Sequence, residues 1–268
     1  MLSFLVTLLY LVLAWHFYRT RWKDETNPFS LKSETLLMGA VILLHGWQLG
    51  MSLITPQGLD LGIGNTLSML AWLVVVFVFG SNLLQNLASL YPALLPLAAL
   101  CTGFQSLLPE HHVPLNSSLP LFKVHLLIAL SAYSLLSITT LLAVFITVIE
   151  YNLHHLKSGN KLLRNLPPLL ALEKLLFHIM KSGFLLLTAT LISGSYFTHI
   201  LTNQWFVLNH KNMFSLLSWV VFGILLAGHL IWGWRGRLAA RLTIFGSVML
   251  VLGYVGSKFV LEVLLHRS

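Results

Sequence analysis

The fold is decided by long apolar stretches, and the clearest of them is residues 120–150, which read PLFKVHLLIALSAYSLLSITTLLAVFITVIE. Between Lys123 and Glu150 this stretch contains no Asp, Glu, Lys or Arg. About 20 mostly apolar residues are enough for an α-helix to cross the hydrocarbon core of a bilayer. Residues 120–150 therefore predict a membrane-spanning helix.

The composition extends this prediction to the whole chain. Of its 268 residues, 57% are hydrophobic and 9% are charged, whereas about 25% of the residues of a soluble domain are charged. Pro92 and Pro96, one turn apart, predict a kink in the fourth stretch. We expect an all-α integral membrane protein, a single transmembrane domain over residues 1–268, with eight spans at approximately 2–18, 35–55, 65–81, 83–108, 120–150, 172–201, 211–232 and 238–264.

Basic residues are distributed unevenly among the segments that connect these stretches. Segments 19–32 and 151–174 each contain four Lys or Arg, and segment 233–241 contains three, whereas segments 56–63 and 109–119 contain none. Lys and Arg are enriched on the cytoplasmic side of membrane proteins. The basic segments are therefore predicted to be cytoplasmic, with both termini outside the cytoplasm. The net charge of +8 thus indicates orientation in a membrane and not nucleic-acid binding.

Histidine is the ionisable residue that recurs inside the apolar stretches, while acidic residues lie in loops or near segment ends. Ionisable groups at membrane depth are costly and usually functional. A membrane site without carboxylates is poorly suited to moving metal cations, whereas imidazole is a common axial ligand of haem iron. Five histidines lie at or inside the ends of apolar segments: His45, His125, His178, His229 and His266.

These histidines fall into two levels when depth is measured along the helices. At 1.5 Å per residue, His45 lies roughly 16 Å, His229 roughly 9 Å and His178 roughly 6 Å from the cytoplasmic edge. His125 and His266 lie at the outer edge. A haem with two imidazole ligands needs two neutral histidines at matched depth on facing helices. The sequence offers histidines at both levels but does not define which helices touch.

Each histidine also has a simpler explanation. A histidine near the end of a membrane helix is often hydrogen-bonded to a neighbour or extends toward the interface. His178 and Lys181 are three residues apart and share one face of a helix. Lys181 could therefore meet a haem propionate, or simply extend to the interface. His45 lies deepest and is the least easily explained in this way.

The cysteine content restricts how a haem could be attached. Cys101 is the single cysteine of the chain, so the CxxCH motif that attaches a c-type haem is absent. Any haem is therefore expected to be of the b type and bound without a covalent link.

The second half of the chain carries motifs that resemble a known family. Gly183-Phe184, Leu187-Thr188 and Ser193-Gly194, which follow Phe177-His178-Ile179, are similar to the GF-x-x-LT…SG helix of the cytochrome c assembly protein superfamily. The resemblance covers most of residues 120–260, and it continues through Lys123-Val124-His125, Tyr133, Lys211, Leu217-Ser218-Trp219, His229 and Gly233-Trp234-Arg235-Gly236-Arg237.

The resemblance implies haem handling during cytochrome c biogenesis. It implies axial haem ligands at the positions of His125 and His229, with His45 as an early-helix partner. The eight-helix size is similar to the HemX-like or YpjD-like branch. The tryptophan-rich WGxxWxWD loop of the synthetases is missing, and only Trp205 and Asn209-His210-Lys211 stand in its place. Synthetase activity is therefore not expected.

The sequence thus predicts a multi-pass protein of the bacterial inner membrane that binds haem through His125, His229, His45 and His178. It would act as a binder or carrier, and not as an enzyme, beside other cytochrome c maturation proteins. Two alternatives remain open. A small-molecule or ion transporter would carry intramembrane carboxylates or paired broken helices. A membrane scaffold without haem would purify colourless.

Overall fold

The computed structural model describes residues 2–56, 58–83, 87–107, 119–154, 168–204 and 209–253. A π-helical turn, Tyr18–Trp22, extends the first helix, and a 3-10 turn, Ala88–Leu90, precedes the fourth. Two short antiparallel strands, β1 (Ile54–Thr55) and β2 (Gly58–Leu59), follow the second helix. The described helices are α1 (Leu2–Phe17), α2 (Leu31–Leu53), α3 (Ile63–Asn82), α4 (Tyr91–Leu107), α5 (Pro120–His154), α6 (Leu169–Thr202), α7 (His210–Trp232) and α8 (Gly236–Val251).

Seven helical segments in the described ranges are long and apolar enough to cross a membrane. They correspond to the first seven predicted stretches, so the prediction of an all-α membrane protein is confirmed. The eighth predicted stretch, 238–264, begins within α8, which ends at Val251. Residues 254–268, including His266, lie outside the described residues, and the eighth span and the side of the termini stay predictions.

The start of the fourth helix differs from the prediction. The apolar stretch 83–108 predicts a helix throughout, yet α4 begins at Tyr91. The Asn82 side chain accepts a hydrogen bond from the Leu87 N–H at 2.6 Å, which satisfies a backbone donor outside any helix. Pro92 lies in the first turn of α4, where a missing N–H costs no helical hydrogen bond. It therefore marks the start of α4, while Pro96 lies inside the helix.

The chain forms two compact units. The first contains α1 to α4, and the second contains α5 from Val124 onward together with α6, α7 and α8. Each unit has its own fully buried side chains. They include Tyr10, Phe17, Met38 and Leu95 in the first unit, and Leu136, Leu142, Leu172 and Phe222 in the second.

Small and hydroxyl-bearing residues join α1 to α4 in the first unit. The Thr7 and Thr102 hydroxyl oxygens are 2.9 Å apart, and the Ser106 hydroxyl donates to the Ser3 hydroxyl at 2.8 Å. Gly103 faces Thr7, and a Cβ added to this glycine would lie 3.8 Å from the threonine side chain. Small residues and interhelical hydrogen bonds are the usual means of helix association in lipid. The contacts therefore agree with a membrane-embedded pair.

Candidate functional site

His45 lies at the centre of the first unit and is 0% exposed. Its Nδ1 is 2.9 Å from the Tyr10 hydroxyl on α1, and its Nε2 is 2.9 Å from the Ser68 hydroxyl on α3. The Tyr10 ring also meets the imidazole edge-on, with 5.5 Å between centroids. Both ring nitrogens are therefore engaged by neighbouring helices. Ligation of a metal by His45 would require one of these bonds to break.

His125 lies in the second turn of α5, in the second unit. Its Nδ1 is 2.7 Å from the Ser193 hydroxyl on α6. Gly194 faces the ring, and a Cβ added to this glycine would be in ordinary contact with His125 Cε1, at 3.4 Å. Nε2 makes no hydrogen bond to a described residue, and Lys211 acts electrostatically on the ring. His125 therefore has one ring nitrogen, Nε2, without a hydrogen bond to a described residue.

His229 lies in the last turn of α7, and its ring is held from two directions. Nδ1 is 3.0 Å from the Trp234 carbonyl oxygen. A carbonyl only accepts, so Nδ1 carries the proton, and the lone pair of the neutral ring is on Nε2. The Phe177 ring of α6 stacks on the imidazole, with 3.5 Å between centroids and 13° between planes. Stacking fixes the plane of the ring, and the carbonyl fixes its tautomer.

The turn after α7 places that carbonyl. Gly233 ends the helix in the left-handed region, at φ 67°, and the Trp234 N–H donates to the Gly228 carbonyl at 3.2 Å. This arrangement is common where a glycine terminates a helix. The Trp234 indole lies on Gly228 so closely that a Cβ there would be 2.2 Å from Cε3. A residue with a side chain at position 228 would displace the indole.

Two carboxylates hold the far side of the same turn. The Gly236 N–H donates to Glu173 Oε1 of α6 at 2.9 Å, and Arg237 Nε lies 3.2 Å from Glu150 Oε2 of α5. Gly236 has a φ of 57°, which favours glycine. Glu173 is only 9% exposed. Glu173 of α6 therefore anchors the turn itself, whereas Glu150 of α5 pairs with Arg237, the first residue after the turn.

A cavity of about 240 Å³ opens beside His229. His178, which is exposed, reaches the same cavity from α6. The structure thus brings together the two inner-level histidines that were predicted at similar depth in this half of the chain. The cavity is lined by Leu170, Glu173, Lys174, Phe177, His178, Lys181, His229 and Arg235.

His125 and His229 lie at opposite ends of the second unit. Their partners on α6, Ser193 and Phe177, are 16 residues apart, a distance of about 24 Å along the helix. The two histidines therefore cannot bind one iron together. This separation agrees with the two levels that were predicted from the sequence.

The remaining motif residues join the helices that carry these histidines. The Trp219 indole N–H donates to the Thr188 hydroxyl at 2.8 Å, which joins α7 to α6. The Phe184 and Trp219 rings stack with 5.6 Å between centroids. Gly183 lies against Leu136, and a Cβ added to this glycine would be 3.0 Å from Cδ2. Trp219 is thus tied to a neighbouring helix.

Sequence reasoning missed the residues that orient His229. Glu173 lies near the end of an apolar stretch, and Phe177 and Trp234 belong to the family motif. Nothing in the sequence predicted that these three residues orient His229. A signal was available in the two glycines that flank Trp234 and Arg235. Paired glycines indicate a tight turn with left-handed backbone, and such a turn brings a carbonyl back to the end of the helix.

The fold and the site together define a multi-pass α-helical membrane protein whose histidines are oriented by neighbouring helices. The model of the family described as Cytochrome C assembly protein matches residues 63–265. This protein belongs to that family, as its motifs predicted. The match begins earlier than the expected core of about 120–260 and takes in α3 and α4.

Named relatives cover most of the chain. Inner membrane protein YpjD of Escherichia coli K12 is 29% identical over 204 residues, which are 76% of this chain and 75% of that protein. An uncharacterized 28.8 kDa protein of Azospirillum brasilense is 30% identical over 195 residues, 72% of each chain. Cytochrome c biogenesis protein CcsA of Prochlorococcus marinus NATL1A is 25% identical over 261 residues, with coverage of 85% and 80%.

Proposed function

We propose that this protein binds b-type haem in the bacterial inner membrane and takes part in cytochrome c biogenesis, as a binder or carrier and not as an enzyme. Membership of the Cytochrome C assembly protein family and the similarity to a relative named as a cytochrome c biogenesis protein support the biogenesis role. The similarity to a relative named as an inner membrane protein supports the location.

The orientation of His229 is the observation that carries the proposal. A histidine that binds a metal commonly donates its other ring N–H to a carbonyl or carboxylate, which fixes the tautomer and raises the basicity of the ligating nitrogen. His229 has this arrangement, with Nδ1 bonded to the Trp234 carbonyl. Its Nε2 makes no hydrogen bond to a described residue and is the nitrogen that would ligate iron.

The residues around His229 also suit a haem. Haem provides four equatorial ligands of its own and needs the protein only for axial positions. His178 lines the same cavity as His229 and would be the second histidine to hold the haem. Lys181 and Arg235 provide cations for the propionates, because charge-assisted hydrogen bonds to carboxylates are strong.

The size of the cavity indicates partial enclosure. Its volume of about 240 Å³ is below the range of about 300–1,000 Å³ that is typical of pockets that enclose a small-molecule ligand. The residues that line this cavity would therefore hold haem without enclosing all of it. Partial enclosure agrees with a carrier, which must release its ligand.

His125 is the candidate ligand of a second, outer position. Its Nδ1 is bonded to Ser193, so that Nε2 is left for iron. Since the α6 partners of His125 and His229 lie about 24 Å apart along that helix, each histidine would serve a different haem or a different stage of transfer.

The first test is spectroscopic and uses the full chain in detergent. We expect purified protein, as isolated or after addition of haem, to show the Soret band of ligated haem. His229→Ala should shift or bleach the band from the inner position, and added imidazole should partly restore it, because imidazole can replace the missing ligand. Absorption spectra of the oxidised and reduced protein provide the measurement.

His210→Ala is the matched control, because His210 is an exposed histidine at the opposite end of the same helix. It should leave the inner-position spectrum unchanged. If His229→Ala, His125→Ala and His178→Ala all keep the wild-type spectrum and haem content, the histidines are not ligands. A protein that stays colourless after haem addition would instead support the scaffold alternative.

A further inference from the structure

We infer that Glu173 is a positioning residue that holds the Gly233–Gly236 turn and thereby keeps His229 in the tautomer with the proton on Nδ1. This inference rests on the proposed function, because the tautomer of His229 matters for function only if Nε2 binds iron. The tautomer itself can be measured without any haem.

The need for such a residue follows from the chemistry of imidazole. A neutral imidazole can carry its proton on either nitrogen, and its partners decide which. The proton must be on Nδ1 if Nε2 is to bind iron. For His229 the deciding partner is the Trp234 carbonyl, at 3.0 Å. Trp234 belongs to a turn, so the tautomer depends on whatever keeps that turn in place.

The turn is fixed on both sides of Trp234. On the side of α7, the Trp234 N–H donates to the Gly228 carbonyl, and the indole lies on Gly228. On the side of α8, the Gly236 N–H donates to Glu173 at 2.9 Å. Glu173 is the only one of these partners that belongs to α6. It therefore ties the turn to the helix against which the His229 ring packs.

Glu173 and Phe177 act from the same face of α6. They are four residues apart, so their side chains are neighbours on one helical surface. Phe177 stacks on the imidazole, and Glu173 holds the turn that carries the carbonyl. One helix thus controls both the plane and the tautomer of the ring. Glu173 is 9% exposed, and a buried carboxylate that accepts a backbone N–H is costly to remove.

The test reads the tautomer by ¹⁵N NMR of protein labelled at histidine and free of haem. The His229 signal is assigned by its loss in His229→Asn. Wild-type protein should show protonated Nδ1 and unprotonated Nε2. Glu173→Ala should give a mixture of both tautomers, whereas Glu173→Gln should keep the wild-type tautomer, because the amide oxygen can still accept from Gly236.

Glu150→Gln is the matched control, since it removes the neighbouring carboxylate and its ion pair but leaves the bond between Glu173 and Gly236 in place. Its His229 signal should be unchanged. A wild-type ring with the proton on Nε2 would overturn the inference, and so would an unchanged tautomer in Glu173→Ala. The wild-type measurement decides the question even if Glu173→Ala does not fold.

A haem titration of the same samples separates this inference from the proposed function. Glu173→Ala should weaken haem affinity about tenfold, the lower end of the effect seen when partners of a metal-binding histidine are removed. Wild-type protein with the expected tautomer but without haem binding would overturn the proposed function alone. Haem binding of wild-type strength in a Glu173→Ala variant with mixed tautomers would show that the tautomer does not control ligation.

Discussion

His45 and His229 are both imidazoles held by hydrogen bonds, yet their bonds leave them with different chemistry. His45 has a hydroxyl group at each ring nitrogen and is fully buried. His229 has a carbonyl at one nitrogen and a cavity beside the ring. A ring whose two nitrogens are engaged joins helices, whereas a ring with one engaged nitrogen can bind a ligand. Of the two, His229 is the better placed for iron.

His45→Ala should therefore destabilise the first unit. The substitution leaves the Tyr10 and Ser68 hydroxyls without their partner, and both residues are 0% exposed. Each unsatisfied buried polar group costs about 1–3 kcal/mol, so the free energy of unfolding should fall by about 2–6 kcal/mol for the two hydroxyls. Thermal unfolding in detergent measures the effect, with His210→Ala as the exposed control. Unchanged stability together with lost haem would make His45 a ligand instead.

The sequence predicted the depth of the histidines but not their partners. Depth follows from counting residues from the nearest charged boundary, and His178 and His229 do reach a common cavity. The partners come from other helices, and in the case of His229 from a backbone carbonyl. The spacing of residues along a helix does not indicate which hydroxyl group or carbonyl of another element faces a given ring. The sequence alone therefore could not predict that His45 has hydrogen-bond partners at both ring nitrogens and His229 at only one.

At the scale of the element, α7 shows how a helix end can carry a binding group. Hydrophobic residues continue almost to its last turn, and Gly233 then reverses the chain in the left-handed region. Gly228, near the end of the same helix, has a different role, because the Trp234 indole packs directly on it. The end of α7 thus depends on two glycines with separate tasks.

Gly228→Ala tests the second of these tasks. The new methyl group would meet the Trp234 ring at 2.2 Å, so the indole must move, at a cost of about 1–3 kcal/mol for overpacking. Thermal stability should fall by a corresponding amount, and the inner-position Soret band should change as the Trp234 carbonyl shifts.

Gly50→Ala is the control for this substitution. Gly50 also lies in a helix, but a methyl group added there would have no heavy atom within 4 Å apart from its chain neighbours and the nearby backbone of its own helix. Alanine is a better helix former than glycine by up to about 1 kcal/mol, so Gly50→Ala should leave stability unchanged or raise it. Equal effects of the two substitutions would show that the packing on Gly228 is unimportant.

The helices themselves were largely predictable, because about 20 apolar residues leave few alternatives. The main error was at α4, where the helix was predicted from residue 83 although it begins at Tyr91, after the polar pair Gln85-Asn86. Hydrophobicity does not register a side chain such as Asn82 that captures a backbone N–H. The residue at which a helix ends depends on such local hydrogen bonds, whereas the length of the apolar stretch that crosses the membrane does not.

For the whole molecule, the distribution of basic residues carries the strongest prediction that is still untested. The segments 19–32, 151–174 and 233–241 are rich in Lys and Arg, and the segments between them have almost none. The positive-inside rule therefore predicts that these three segments are cytoplasmic and that segments 56–63 and 109–119 are not. The same rule predicts that the inner cavity, which includes Lys174 and Arg235, faces the cytoplasm.

Reporter fusions test this arrangement. A fusion after Ser268 should report a location outside the cytoplasm, and a fusion within residues 157–164 should report the cytoplasm. The reason is that Lys and Arg in short loops are retained on the cytoplasmic side. A fusion within residues 109–119 serves as the external control. A cytoplasmic signal at Ser268 would mean that α8 does not span and that the chain crosses the membrane seven times.

The turn after α7 can also be written as a short pattern for recognising other proteins. Residues 228–236 have the form G-H-x3-G-W-x-G, and each glycine has its own geometric reason: contact with an indole at 228, and positive φ at 233 and 236. A membrane helix that ends in this pattern would present a histidine whose neutral ring has its lone pair on the outward nitrogen. Scanning translated genomes for these nine positions would therefore find imidazole-bearing helix ends in proteins with no other similarity to this one.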